Sequence, residues 1–329
     1  MNAIQPLRAV HDAATVATLG PLQPLRYTDG ADPGTERPAH VRAASAVRRF
    51  GGALWMAQDD ANFLAVRRDD GSVRAFALPP GPDGRRLFSA KHGNKRHKMD
   101  LEAAVVLPDG RLCAFGSGSK AARRRLVLVD PSEQVRIFDA EALYLAFEAN
   151  KAFSGSELNI EGVVLSGGTL RVFNRGNGDP NGALRPVDAT VELDLAAFVA
   201  YVDGKAAAPA LGAVRHYDLG QLEGVQLTFS DAAALPDGRI AFLAAAEASP
   251  DAYHDGEVRG CRLGLIDGDA VRTYDLKSAD GKTCGLKLEG IELLAAEAGA
   301  LRFYVVADVD DTEVPALGGE LVLPLPAGK

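Results

Sequence analysis

Carboxylates recur in this sequence at the openings of short apolar runs. Glu102, Glu161 and Glu289 each follow a leucine or isoleucine, and Ser230 with Asp231 stands where a fourth would fall. A second polar set closes the runs that return: Asp59 and Asp60, Ser117 and Ser119, Arg175 and Asn177, Glu247, and Asp308 with Asp310. Glu223 sits in a further Leu-Glu-Gly triplet ahead of Ser230, so either its repeat carries an insertion or it belongs to a neighbouring loop. Crowded carboxylates repel one another unless a cation neutralises them, and oxygen donors without His or Cys favour Ca²⁺ or Mg²⁺. The expectation is a calcium-type site with Glu102, Glu161, Asp231, Glu289 and Glu223 as ligands. The competing role for any one glutamate is structural, accepting backbone N–H groups at the end of its sheet.

Such residues meet only if hairpins hold both sets at one edge, because the start of one strand and the end of its antiparallel partner lie together. Taking Ser45, Glu102, Glu161, Ser230 and Glu289 as equivalents gives spacings of 57, 59, 69 and 59 residues. The runs break at Pro108-Asp109-Gly110, Ser166-Gly167-Gly168 and Pro236-Asp237-Gly238, and in a degenerate first copy at Gly51-Gly52. These turns supply the positive φ that hairpins require. Further strand candidates between hairpins make four strands per repeat, and radially repeated four-stranded units describe a β-propeller.

The expected fold is therefore an all-β propeller, a single domain over residues 1–329, with repeats at about 44–100, 101–158, 159–220, 221–286 and 287–329. The last repeat shows about three strands, so an N-terminal strand near Leu22–Tyr27 is expected to close it. Five blades are expected, with six the alternative if residues 1–44 hold more strand; a β-sandwich is the competing architecture. Residues 140–150 break the pattern and predict one short helix, with Leu143, Ala146 and Phe147 on one face.

Thirty-six Lys and Arg against 44 Asp and Glu give a net charge of −8, which argues against nucleic acid and anionic membrane as partners. Cys113, Cys261 and Cys284 lack metal-ligand spacing and form no disulfide framework, a single Cys261–Cys284 bridge being left open. Arg8, His11 and Asp12 interrupt the first residues, so no signal peptide or membrane span is expected there, and a cytoplasmic monomer is the default. The histidines, at 11, 40, 92, 97, 216 and 254, are scattered, and no GxSxG, P-loop, HExxH or dinucleotide fingerprint appears.

The Leu/Ile-Glu-Gly strand openings, LNIEGV at Leu158–Val163 and RGNG at Arg175–Gly178 resemble the propeller proteins grouped as phytase-like esterases or SdiA-regulated domains, with related bacterial families of unknown function. The resemblance runs from about Ala44 onward. It implies a five- or six-bladed propeller with bound calcium, acidic axial positions at Glu102, Glu161 and Glu289, and phosphoester cleavage. Ser230 with Asp231 departs from that pattern.

Residues 85–98 add a loop with Arg85, Arg86, Lys91, Lys95, Arg96 and Lys98 and no acid, suited to a small anionic molecule or simply to solvent. Any catalysis is expected to be metal-assisted, with Glu161 as ligand or general base and Arg175 stabilising developing negative charge. Asn177, Lys120, Ser117 and Lys95 are the candidate substrate contacts. The functions weighed are a metal-dependent phosphoester hydrolase, a lactonase-type hydrolase, and a non-catalytic binding or scaffold propeller with a structural ion.

Overall fold

A computed structural model of the protein describes residues 4–248 and 256–325, which leaves His254 outside. Strands β1 (Leu7–Leu19) and β2 (Gln23–Pro24) precede five groups. The first is β3 (Ala44–Phe50), β4 (Ala53–Gln58), β5 (Phe63–Arg67) and β6 (Val73–Ala77). The second is β7 (Leu101–Val106), β8 (Leu112–Gly116), β9 (Arg125–Val129) and β10 (Val135–Asp139). Helices α1 (Glu141–Ala149) and α2 (Lys151–Ser154) lead to β11 (Ile160–Ser166), β12 (Thr169–Asn174), β13 (Asp188–Asp194), α3 (Leu195–Val202) and β14 (Leu211–Asp218). After β15 (Gln221–Leu222) come β16 (Val225–Ala234), β17 (Ile240–Ala248), β18 (Glu257–Asp267) and β19 (Ala270–Ser278). The fifth group is β20 (Lys287–Glu297), β21 (Ala300–Asp308) and β22 (Leu317–Pro324).

Within each group successive strands pair antiparallel, and the leading strands close a cycle in which β3 packs on β7, β7 on β11, β11 on β16, β16 on β20, and β20 on β3. The fold is an all-β propeller. Each sheet is covered on both faces by its neighbours, which is why β4 and most of β17 are buried throughout rather than alternating.

The N-terminal segment closes the fifth group as expected, through β2, and adds a long strand, β1, that was not anticipated. β1 starts parallel to β14, with Leu7 opposite Tyr217, continues parallel to β19 and ends antiparallel to β22, with Leu19 opposite Leu321. β2 adds Gln23 opposite Gly318 at the edge of the fifth group. The chain start thus stitches three sheets together, whereas the sequence showed only a short closing strand. The reason is its position at the surface: only Ala17 and Leu19 of β1 are buried, and Asp12 folds a bulge by accepting from the Ala14 and Thr15 amides, so no sustained apolar alternation marks it.

Helix α1 lies where the periodicity placed it. α3 was not anticipated, although Asp194 accepting from the Ala197 amide at 2.8 Å is an ordinary N-cap. Both helices fill the gap between the second and third sheets, where Tyr144, Phe147 and Phe198 are fully buried and the Phe115 and Phe198 rings stack with centroids 5.7 Å apart. Each such aromatic contributes about 1.5–3 kcal/mol of burial.

The equivalence at the leading strands has a backbone counterpart. Every leading hairpin carries a register irregularity that contains Ser45, Glu102, Glu161, Ser230 or Glu289. A bulge turns its extra residue out of the ladder, so these five side chains are aimed together by the backbone. The glycine that follows the glutamate has a steric cause. A Cβ on Gly290 would lie 2.6 Å from Val306 Cγ2 and 3.0 Å from the Val47 nitrogen of the next leading strand. Gly290→Ala is expected to destabilise the fold by about 1–3 kcal/mol in denaturant titration, the range for overpacking a close contact.

Candidate functional site

At the bulged end of the ring lies a cavity of about 480 Å³. Its lining holds Glu102, Glu161 and Glu289 from leading strands and Asp59, Asp60, Arg175, Asn177, Glu247, Asp308 and Asp310 from where the second strands end. Loop 85–98 contributes Phe88, Ser89, Ala90, Lys91, Lys95 and Lys98. The hairpin geometry therefore gathers both polar sets at one mouth.

The two serines at bulge positions do not face a ligand. Ser45 Oγ donates to the Leu101 carbonyl and Ser230 Oγ to that of Leu288 at 2.7 Å, each tying its strand to the next. The glutamates differ in their partners. Glu161 Oε1 accepts from Asn159 Nδ2 at 2.8 Å and from Arg175 at 3.3 Å, while Glu289 lies 2.6 Å from Lys287 Nζ. Glu102 has no hydrogen-bond or ion-pair partner among the described residues. One oxygen from each of Asp59, Asp100 and Glu102 lies within 4.8 Å of the others. Lys98 Nζ stands 2.9 Å from Asp59 and 2.5 Å from Asp100, whose second oxygen is 2.6 Å from Arg123 and takes the Ser117 hydroxyl.

Burial and crowding by Asp100 and Glu161 push the Glu102 carboxyl well above its usual range. Burial, with Asp308 nearby, does the same to Glu289 although Lys287 opposes it. Asp60 is raised to about 6 by burial beside Asp59, and Asp308 to about 7 by burial, Asp59 and Asp310. Asp188, below the mouth, accepts from the Phe229 and Gly176 amides and is raised to about 7 by burial. Glu247 behaves oppositely. Against the effect of burial, Lys287 and Arg175 hold it down to about 2.

A carboxylate raised on folding favours the native state while protonated, and that advantage is lost as pH climbs through its folded value. For Asp60, Asp188 and Asp308 the loss falls between about pH 4 and 7, whereas the contribution of Glu247 is present above about 4.5 and disappears only toward 2. In EDTA the melting temperature should therefore rise as pH falls from about 8 to about 5. A maximum at or above about pH 7.5 would contradict it.

Two proposed ligands lie elsewhere. Asp231, next to the bulge residue Ser230, points the other way: it is 1% exposed and receives both Arg48 guanidinium nitrogens at 2.9 Å and the Ala232 and Ile291 amides. Arg48 also donates to the Ile291 and Ala232 carbonyls, so this pair joins β3, β16 and β20 below the mouth. Glu223 occupies an exposed two-residue turn with φ of 51° between β15 and β16, the neighbouring loop of the two readings. Of the other candidates, Lys95 and Asn177 line the mouth, Ser117 is buried behind Asp100, and Lys120 starts the turn Ala121–Arg123 outside the lining. Arg175 is 3% exposed and already bonded to Glu161, Glu247 and Thr228, so it organises carboxylates and has no spare nitrogen aimed outward for a transition state.

Sequence reasoning left Asp59, Asp100 and Lys98 out of the metal set and Lys287 and Asn159 out of the site. A signal existed: Asp100, Asn159 and Lys287 each precede a bulge glutamate by two residues, the spacing that returns a side chain to the same face of a strand.

No curated protein matches the chain. Solved structures similar to it include virginiamycin B lyase from Staphylococcus aureus, at 11% identity, covering 93% of this chain and 99% of that one with a TM-score of 0.39. The glutaminyl cyclase of Myxococcus xanthus is 13% identical, with 98% and 100% covered and a TM-score of 0.44. A gluconolactonase from Xanthomonas campestris is 14% identical, with 94% and 97% covered and a TM-score of 0.39. The model of the family of unknown function DUF6929 matches residues 40–321, and the chain belongs to that family.

Proposed function

We propose that the mouth binds a divalent cation of the calcium or magnesium type and hydrolyses a small anionic ester there. The observation that carries this reading is the convergence of Asp59, Asp100 and Glu102, with Glu102 lacking a protein partner. The donor set fits: all three offer hard oxygen, and the ten carboxyl groups of the lining outnumber its six Lys and Arg, so a divalent ion would favour ionisation of acids that burial and crowding otherwise hold protonated. When bound, such an ion polarises an ester or phosphoryl oxygen. The chain's own residues then do the rest. Glu161, fixed by Asn159 and Arg175, is placed to accept a proton from water, and Lys91 and Lys95 on the rim offer ammonium groups to an anionic substrate.

The motif resemblance to phytase-like esterases favours phosphoesters, with lactones as the alternative ester class. The test is turnover of a panel of phosphoesters and lactones by the full chain, with Ca²⁺, with Mg²⁺ and with EDTA. Cation-dependent hydrolysis is expected; silence across the panel together with a cation-dependent melting temperature would replace the enzyme by a binding propeller with a structural ion. Arg175, whose nitrogens are engaged by Thr228, Glu161 and Glu247, is what favours that second reading.

A further inference from the structure

We infer that Lys98 is a tethered competitor for the cation site, and that its exchange with a divalent ion governs the position of loop 85–98 over the mouth. The inference rests on the cation reading above. Lys98 is 7% exposed and places its ammonium between two of the three converging carboxylates. With Glu102 ionised, the three carboxylates exceed the two protein cations, Lys98 and Arg123, by one negative charge; a divalent ion in place of Lys98 balances that ionised cluster. A second observation points to a cation at this wall. Asp60 is 7% exposed and borders the same cavity; Arg42 pairs with one of its carboxylate oxygens, and the other is buried without a hydrogen-bond partner among the described residues.

Beyond an anchored base, the loop folds on one side chain. Asn94 accepts from the Ser89 amide at 3.0 Å and donates to the Leu87 carbonyl and to Asp83, each at 2.9 Å, so residues 83–94 fold on one side chain. The base is fixed where Leu87 bridges to Ala61, the Asn62 amide donates to the Arg86 carbonyl and the Phe88 amide to the Asp60 carbonyl; the buried Lys98 pins the other end just before β7. With Lys98 seated, the loop is held against the acids. With an ion there, like charges cannot share the place, and Lys98 withdraws together with residues 89–97, the part of the loop beyond that base.

Calorimetric titration of the full chain with CaCl₂, for the wild type, Lys98→Met and Lys98→Arg, tests this alongside hydrogen exchange of residues 85–98 with and without Ca²⁺. Lys98→Met should bind Ca²⁺ about tenfold or more tightly than wild type, and Lys98→Arg within about threefold of it. Wild-type amides in the loop should exchange faster at saturating Ca²⁺. Equal or weaker binding by Lys98→Met, or loop exchange that ignores Ca²⁺, overturns the competitor while leaving the cation reading intact. Absence of binding by all three proteins overturns both. Should Lys98→Met fail to fold, the exchange measurement on wild type and the Lys98→Arg affinity still decide the matter.

Discussion

Arg48→Met should lower the unfolding free energy by about 3–5 kcal/mol, the range for stripping one partner from a buried ion pair. The guanidinium meets both oxygens of Asp231 at 2.9 Å and two carbonyls of other leading strands, so its loss strands a carboxylate that is 1% exposed and leaves those carbonyls unsatisfied. The double variant Arg48→Met/Asp231→Leu removes both charges and should recover much of that loss. Denaturant titration of the two proteins gives the comparison. A single variant within about 1 kcal/mol of wild type would show that the pair does not hold the leading strands together.

Glu102→Gln separates stability from function. The carboxyl is pushed well above its usual range by burial and by Asp100 and Glu161, so its ionised form is disfavoured in the native state, and a neutral isostere relieves the crowding. The melting temperature of Glu102→Gln in EDTA at neutral pH should therefore equal or exceed that of wild type. Divalent-cation affinity should fall on the order of 10-fold to 100-fold, and any cation-dependent turnover by about 100-fold, because one of three converging oxygens no longer carries charge. A less stable variant that still binds Ca²⁺ normally would make Glu102 a structural acid. Lower activity alone, without lower affinity, would place its role in proton transfer instead.

Much of this arrangement was legible because hairpins are local. The turns PDG and SGG, the Glu-Gly pairs and a period near 60 residues fix which side chains share an edge, and the strand-end set Asp59, Asp60, Glu247 and Asp308 does join Glu102, Glu161 and Glu289 in one cavity. What stayed hidden depends on contacts between repeats. Asp231 looked like a substitute for the missing glutamate, yet a bulge sends residue 230 and residue 231 to opposite sides, and only the ring brings Arg48 across to meet it. Neutralisation across blades was also invisible, since Arg175 and Lys287 reach Glu247, and Lys98 reaches Asp59, from a neighbouring group. β1 escaped for the opposite reason, lying on the outside where alternation of polar and apolar residues is not required.

The most direct test of the account is a crystal structure of the full chain grown or soaked with Mn²⁺ as a stand-in for the proposed ion, read by anomalous diffraction. A single peak at about 2.0–2.6 Å from oxygens of Asp59, Asp100 and Glu102, with the Lys98 ammonium moved away, is the predicted result. A mouth without a peak at saturating metal, in which Lys98 still bridges Asp59 and Asp100, would contradict it.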